Sequence, residues 1–229
     1  MTQPLPLHHG IFGRLRRDTG EAWERFIRHP FVLGIGDATL PQPAFQHYLK
    51  QDYLFLIQFA RAHALAGYKS TDLAGLRAAA AAVTAIVDTE MPLHISYCAG
   101  WGLTEAQMQA EPEDMETIAY TRFVLERGLA GDGLDLDAAL IPCLVGYAEV
   151  VERLLADPAT RQEGNPYAAW MAAYASDDYR AAAAAAIESL DRQFALRGSE
   201  ARYPDLLATF TAATRLEEAF WEMGWRRRA

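Results

Sequence analysis

The chain contains 229 residues, of which 51% are hydrophobic and 22% are charged. This length and composition predict one globular domain spanning residues 1–229, since no composition shift divides the chain. The chain carries 21 Lys and Arg residues against 30 Asp and Glu residues, a formal net charge of −9. We expect no nucleic-acid partner, because a protein that binds phosphates needs an excess of basic residues.

The apolar stretches are short, and the cysteines are few. Residues 78–83 form one of the longest stretches, well below the roughly 18 residues of a membrane span. The N-terminal sequence MTQPLPLHHG lacks the basic and apolar regions of a signal peptide, so we expect a cytoplasmic protein with no membrane partner. Cys98 and Cys143 are the two cysteines, and their separation predicts neither a disulfide framework nor a zinc knuckle.

Apolar residues recur with a 3.6-residue period along nearly the whole chain, and strand-like alternation is confined to a few residues. The sequence therefore predicts an all-α fold, a single-domain helical bundle. Proline, glycine and Asp-Pro breakers separate the predicted helices. These helices span residues 10–28, 42–67, 72–100, 113–129, 135–156, 164–175, 178–197 and 203–225.

The second predicted helix carries one carboxylate within an apolar face. Asp52 lies at helical spacing from Tyr48, Phe55 and Phe59. Because burial of an unpaired carboxylate costs free energy, Asp52 is expected to have a partner or to bind a ligand. A structural role is an equal alternative, in which Asp52 caps a neighbouring helix or pairs with an arginine such as Arg61.

The fifth predicted helix places Cys143 and Tyr147 one turn apart on an apolar face. Pro142 directly precedes the cysteine, and a proline within a helix interrupts its hydrogen bonds. We therefore expect Cys143 to lie near a local helix N-terminus, where the thiolate is favoured and the sulfur is nucleophilic. The alternative is a buried, inert cysteine.

The last predicted helix carries a pair of adjacent glutamates on different faces. Glu217 lies on the apolar face with Phe220 and Trp221, whereas Glu218 lies on the polar face. Burial in an apolar pocket raises the pKa of a carboxyl, so Glu217 is a candidate general acid. A buried, hydrogen-bonded glutamate with a structural role is the alternative.

Tyrosines on the face of Cys143 and on two other helical faces add to this group of residues. Tyr120, Tyr147 and Tyr174 each interrupt an apolar face, and each alone is typical of a core residue. Together with an Asp, a Cys and a Glu, they suit a pocket for a flat, polar heteroaromatic ring. Glu90 and His94 are one turn apart, but di-iron bundles use Glu-x-x-His on two helices, and no copy of that spacing exists in this chain, so we expect no metal site.

A set of short motifs occurs in one order along nearly the whole chain. They are His29-Pro30-Phe31, FQHYLKQD at residues 45–52, EMPLH at residues 90–94, Ala119-Tyr120-Thr121, Ile141-Pro142-Cys143, WMAAY at residues 170–174, and Glu217 followed by Phe220-Trp221. With these motifs the sequence resembles the TenA family, the thiaminase II or aminopyrimidine aminohydrolase group.

The resemblance implies a heme-oxygenase-like helical bundle that binds no heme, assembles as a homotetramer and acts on pyrimidine breakdown products of thiamin. It implies that Cys143 is the nucleophile and that Glu217 is the general acid and base. It also implies that Asp52 holds the aminopyrimidine. Cys143 places the chain in the group of family members with a pocket cysteine.

The resemblance also assigns the aromatic residues of the pocket. Tyr120, Tyr147 and Tyr174 match the tyrosines that stack on the ring, hydrogen bond to it or line the pocket. Phe55 stands where some family members carry a pocket tyrosine. This difference keeps a stacking surface but removes a hydroxyl, so the preferred aminopyrimidine is left open.

The expected reaction is hydrolysis at the methylene carbon of a 4-amino-2-methylpyrimidine, with ammonia leaving the aminomethyl compound or the thiazole leaving thiamin. No metal or organic cofactor is expected. A non-catalytic pyrimidine-binding or regulatory protein on the same scaffold is the alternative. An oxidase is a third reading, and it would need His or carboxylate ligands to converge in the pocket.

Overall fold

The computed structural model describes residues 5–228. Residues 1–4, which begin the N-terminal sequence considered above, lie outside the described residues. Residue 229 of the predicted domain also lies outside them. All secondary structure between residues 5 and 228 is helical, which confirms the all-α prediction. The α-helices are α1 (Gly10–Thr19), α2 (Glu21–Ile27), α3 (Pro30–Gly36), α4 (Gln42–Lys69), α5 (Leu73–Ala85), α6 (Met91–Ala99), α7 (Glu105–Gln109), α8 (Met115–Ala130), α9 (Gly133–Ala156), α10 (Ala168–Tyr174), α11 (Asp177–Arg197) and α12 (Tyr203–Trp225).

Four long helices, α4, α8, α9 and α12, pack against one another and form the centre of the bundle. Their apolar faces meet in one continuous core with the short helices α2 and α3. The largest fully buried side chains include Trp23, Phe31, Tyr48, Phe210 and Trp221. Within residues 5–228, no helix is both long and apolar enough to cross a membrane.

Two predicted helices are interrupted in the structure. The segment 10–28 is divided at Gly20, whose φ of 60° lies in the left-handed region that glycine tolerates. The segment 72–100 contains a π-helical turn, Ile86–Glu90, between α5 and α6. A single π-turn inserts one residue into the helical register, and such turns are frequent at functional sites. Pro92 follows it and offers no N–H to the preceding turn.

The fifth predicted helix, in contrast, is continuous where an interruption was expected. Helix α9 runs continuously from Gly133 to Ala156 with Pro142 inside it. Cys143 therefore lies near the middle of a helix, and the expectation of a local N-terminal end is wrong. Tertiary packing on both sides of α9, by α11, α12 and α8, holds the helix together despite the missing N–H of the proline.

Candidate active site

Helix α4 supplies one wall of a buried polar cluster at the centre of the bundle. Tyr48, Asp52 and Phe55 lie on one face of α4 and are all at most 4% exposed. The Tyr48 hydroxyl donates to Asp52 Oδ2 at 3.0 Å and lies 3.4 Å from the Tyr147 hydroxyl on α9. The prediction that Asp52 is buried and has a partner is confirmed.

The main partner of Asp52 is a histidine that was not predicted to lie in the site. His94 Nε2 lies 2.6 Å from Asp52 Oδ2, and the His94 side chain is 1% exposed. Arg61, the partner considered from the sequence, instead donates to Gln58 at the surface. Met91, Pro92 and the preceding π-turn orient α6 so that His94 faces α4.

Helices α8, α9 and α12 bring three further groups together. Tyr120 on α8 donates its hydroxyl hydrogen to Glu217 Oε1 at 2.7 Å. The thiol of Cys143 on α9 donates to the same carboxylate. Glu217 is 2% exposed, as predicted from the apolar face of its helix. A thiol and a proton acceptor are thus in direct contact inside the bundle.

The environment of Glu217 differs from that of the other fully buried glutamate, Glu149. Arg16, Arg153 and the Trp23 indole all donate to Glu149, and although burial opposes ionisation, these partners hold its pKa below the ordinary value. Glu217 has no cationic partner in the described part of the chain. Burial raises its pKa to about 8, although the hydrogen bonds from Tyr120 and Cys143 act in the opposite direction.

Cys143 is protonated in the resting site. Burial is the largest cause that raises its pKa well above the ordinary value, and the negative charges of Glu217, Glu90 and Asp52 add to it. The expectation that a helix N-terminus favours the thiolate is therefore wrong. A nucleophilic sulfur can form here only if the thiol passes its proton to a neighbouring base, and Glu217 is in hydrogen-bond contact.

The remaining predicted tyrosines close the cluster on the side of α10. Tyr147 and Tyr174 are both buried, with ring centroids 5.0 Å apart. The Tyr174 hydroxyl donates to Glu90 Oε1 at 2.8 Å, and burial raises the pKa of the Glu90 carboxyl. Glu90, in the π-turn, thus adds a third carboxyl near the thiol.

Phe55 packs beside Tyr120, on the side of the cluster that contains Glu217. Its ring centroid lies 4.9 Å from that of Tyr120, 5.2 Å from that of Phe59 and 5.6 Å from that of Phe220. The structure therefore brings the predicted site residues into one connected cluster. They are Asp52, Phe55, Tyr120, Cys143, Tyr147, Tyr174 and Glu217.

Comparison with known proteins gives the family of this chain. The TENA/THI-4/PQQC family model matches residues 16–227. The chain belongs to the TENA/THI-4/PQQC family. A curated relative from Halalkalibacterium halodurans, named aminopyrimidine aminohydrolase, is 35% identical over 207 residues, which cover 90% of this chain and 91% of the relative. The resemblance to TenA proteins is thereby confirmed.

Solved structures of similar proteins agree with this family and its fold. A TenA family protein from a Silicibacter species, described as a transcription regulator, is 44% identical, covers 93% of this chain and 95% of its own, and superposes with a TM-score of 0.88. A protein from Shewanella denitrificans described as having a heme oxygenase-like fold is 13% identical, with a TM-score of 0.69 over 93% of this chain and 91% of its own. The heme-oxygenase-like bundle is confirmed.

Two surface depressions of the TenA chain lie away from this cluster. The larger has a volume of about 450 Å³ and is lined by residues of α8, α9 and α12 such as Phe123, Arg127 and Thr209. The other, of about 370 Å³, borders the opposite side of α6 at Leu93, Ser96 and Tyr97. Neither is lined by Cys143, Asp52 or Glu217.

Sequence reasoning missed Tyr48, Glu90 and His94 as members of the cluster. The signal for the last two was present, since both lie in the EMPLH motif that resembles the family. Their spacing was considered only for a metal centre. Within residues 5–228, no group of three or more His, Cys, Asp or Glu side chains is arranged to hold a metal ion.

Proposed function

We propose that this protein is an aminopyrimidine aminohydrolase of the thiaminase II type, acting in thiamin salvage. The substrate is 4-amino-5-aminomethyl-2-methylpyrimidine, with thiamin as a second candidate, and the product is 4-amino-5-hydroxymethyl-2-methylpyrimidine. The observation that carries the proposal is the contact between the Cys143 thiol and the Glu217 carboxyl, across a buried site from Asp52. The name of the Halalkalibacterium relative supports the same substrate class.

The reaction begins with proton transfer between the two contacting groups. The Cys143 thiol gives its proton to the Glu217 carboxylate while the sulfur adds to a ring carbon of the pyrimidine. The pyrimidine binds with a proton on the ring nitrogen beside Asp52, and the electron pair displaced from the ring moves to this nitrogen and cancels its positive charge. Asp52 accepts a hydrogen bond from the protonated amidine edge and stabilises the positive charge that returns when the amine is expelled. The C–S bond makes the bond between the methylene carbon and the amine allylic, so the ring nitrogens can expel the amine.

Glu217 then acts as the acid in the next step. It returns its proton to the departing amine, which leaves as ammonia, and the bond from the methylene carbon to nitrogen breaks. Water adds to the methylene carbon and gives a proton to Glu217. The C–S bond then breaks and the ring regains its aromaticity, and Glu217 gives its proton to the departing sulfur and restores the thiol. A carboxyl with a pKa of about 8 is suited to both directions of transfer near neutral pH.

Ammonia release tests this function directly. Purified protein treated with a chelator should convert the aminomethylpyrimidine to equal amounts of ammonia and hydroxymethylpyrimidine. Thiamin serves as the comparator, since release of its thiazole measures the second activity. Tight binding of the pyrimidine without any ammonia would instead support the non-catalytic binding protein.

Phe55 should influence the choice of substrate. The Phe55→Tyr substitution adds a hydroxyl beside Tyr120 and Phe220 while the ring still fills its space. We expect the ratio of kcat/KM for the aminomethylpyrimidine and thiamin to change about fivefold, since one hydrogen bond contributes about 1 kcal/mol. Steady-state kinetics with both substrates measures this ratio.

Phe59→Tyr is the matched control for Phe55→Tyr. Phe59 lies one turn further along α4 and stacks on Phe55. The Phe59→Tyr substitution should leave the ratio of the two kcat/KM values unchanged. Equal ratios for the wild type and Phe55→Tyr would mean that Phe55 is a core residue with no contact to the substrate.

The proposed assembly is a homotetramer, and an exposed apolar stripe on α5 and the π-turn supports self-association. Leu73, Leu76 and Val87 share one face of this segment and are 57%, 51% and 45% exposed. Leu76→Glu should shift the mass in sedimentation from that of four chains towards one. Leu196→Glu, at an isolated exposed leucine on α11, should not. A monomeric wild type would contradict the tetramer.

A further inference from the structure

The contact between Asp52 and His94 is the most enclosed ion pair of the site. The two side chains are 5% and 1% exposed, and Nε2 lies 2.6 Å from Oδ2. The short contact leaves room for one proton between the two groups, and the position of that proton decides the charge of both. Either His94 is an imidazolium and Asp52 a carboxylate, or both groups are neutral.

The π-turn fixes which ring nitrogen of His94 carries hydrogen. His94 Nδ1 lies 2.9 Å from the backbone carbonyl oxygen of Glu90. A carbonyl oxygen only accepts hydrogen bonds, so Nδ1 must donate to it and carries a hydrogen. The Nε2–Asp52 contact at 2.6 Å then contains one proton, and its assignment to Nε2 makes the ring doubly protonated.

The other contacts of Asp52 favour the ionised carboxylate. Oδ2 accepts from both Tyr48 and His94, which is the pattern of a charged oxygen. Within the described part of the chain, Oδ1 receives no hydrogen bond. We propose that His94 is a positioning residue, whose doubly protonated ring keeps Asp52 ionised and holds Oδ2, so that Oδ1 is left to accept from the amidine edge of the pyrimidine. This inference rests on the proposed function only for the identity of that ligand.

The charges around His94 support an imidazolium. Burial by itself lowers the pKa of the His94 ring, but the hydrogen bond and the charge of Asp52, together with the charge of Glu90, raise it above its ordinary value. The ionisable groups that surround the pair come from α4, the π-turn, α9, α10 and α12. They are Tyr48, Glu90, Cys143, Tyr147, Tyr174 and Glu217. None of these groups can carry a positive charge that would oppose protonation of His94, and the negative charges that favour its protonated ring come from Asp52 and Glu90.

Nitrogen NMR of the histidine rings tests the protonation directly. The chain has six histidines, and the signal of His94 is the one lost in His94→Gln. At pH 7.5 we expect this signal to show hydrogen on both ring nitrogens. His63 offers an internal reference, because burial lowers its pKa to about 4 and its ring should be neutral.

Ligand binding tests the positioning role. The Kd of 4-amino-5-hydroxymethyl-2-methylpyrimidine, measured by calorimetry, should rise about tenfold or more in His94→Gln, because a neutral amide replaces a charged donor. His47→Gln is the matched control. His47 contacts Asp114 at 2.7 Å outside the cluster, so its loss should change the Kd less than about twofold, within the usual range for contacts distant from the ligand.

A second variant, Asp52→Asn, tests the same inference if His94→Gln does not fold. In Asp52→Asn the ring loses its anionic partner, and its NMR signal at pH 7.5 should become that of a neutral imidazole. A neutral His94 ring in the wild type, or an unchanged signal in Asp52→Asn, would overturn the inference.

The two hypotheses fail in different ways. A doubly protonated His94 together with pyrimidine binding, but without ammonia release, would reject the proposed hydrolase and leave this inference standing. Ammonia release by a protein whose His94 ring is neutral would reject the inference alone. Equal Kd values for the wild type and a folded His94→Gln would also reject the positioning role.

Discussion

Substitution of Cys143 by Ser should lower kcat for ammonia release by about 10³-fold or more, while the Kd of the hydroxymethylpyrimidine changes little. A serine hydroxyl is almost isosteric but far less nucleophilic at neutral pH, and loss of a nucleophile commonly costs this much or more. Single-turnover kinetics and calorimetry measure the two quantities. Comparable rates in the variant and the wild type would reject covalent addition to the ring.

Cys98→Ser is the control for this substitution. Cys98 is buried, whereas Cys143 is half-buried, and burial raises the pKa of the Cys98 thiol to about 11, but Cys98 lies outside the cluster. The folded variant should keep the rate of the wild type. Alkylation provides a second check, because the hydroxymethylpyrimidine should protect Cys143 from iodoacetamide. Inactivation without such protection would place the reactive thiol elsewhere.

Glu217→Gln should produce the second large effect, a loss of about 10²-fold to 10⁴-fold in kcat/KM, the usual contribution of a general acid or base. The amide keeps the shape and accepts from Tyr120, but it cannot take the proton of Cys143. Because the free enzyme needs the ionised carboxylate for this transfer, kcat/KM of the wild type should rise with pH and level off above about 8. The rise should be absent in Glu217→Gln.

Glu217 should also make the free energy of unfolding depend on pH. The folded-state pKa of Glu217 is raised to about 8 from an ordinary value of 4.5, so between these values the folded state binds more protons than the unfolded state. The contribution of Glu217 to the free energy of unfolding therefore falls as pH rises from 4.5 to 8. Glu217→Gln should remove this fall, which chemical denaturation at several pH values would show.

Glu218→Gln is the matched control for Glu217→Gln. Glu218 forms a surface ion pair with Arg25 at 2.8 Å, and exposed pairs of this kind contribute little. Its substitution should leave the rate and the pH profile unchanged. Equal effects of the two substitutions would make Glu217 a buried structural acid with no role in proton transfer.

The sequence by itself determined the helical class and the faces that point inward. Asp52 and Glu217 were predicted to be buried, and they are, because the 3.6-residue period links each position to its neighbours on the same helix face. The same period could not locate the break at Gly20 or the π-turn Ile86–Glu90. Both change the register locally without changing the apolar pattern on either side.

Only the tertiary structure decided the partner of Asp52 and the protonation of Cys143. His94 is 42 positions from Asp52 in the chain, so no local pattern connects them, whereas Arg61 shares the helix of Asp52 but pairs elsewhere. The local rule for Pro142 predicted a helix end and a thiolate, but neighbouring helices keep α9 continuous. Burial and three carboxyls from other parts of the chain then favour the thiol. The pKa of a buried group depends on all charges around it in space, and these charges come together only when the helices pack.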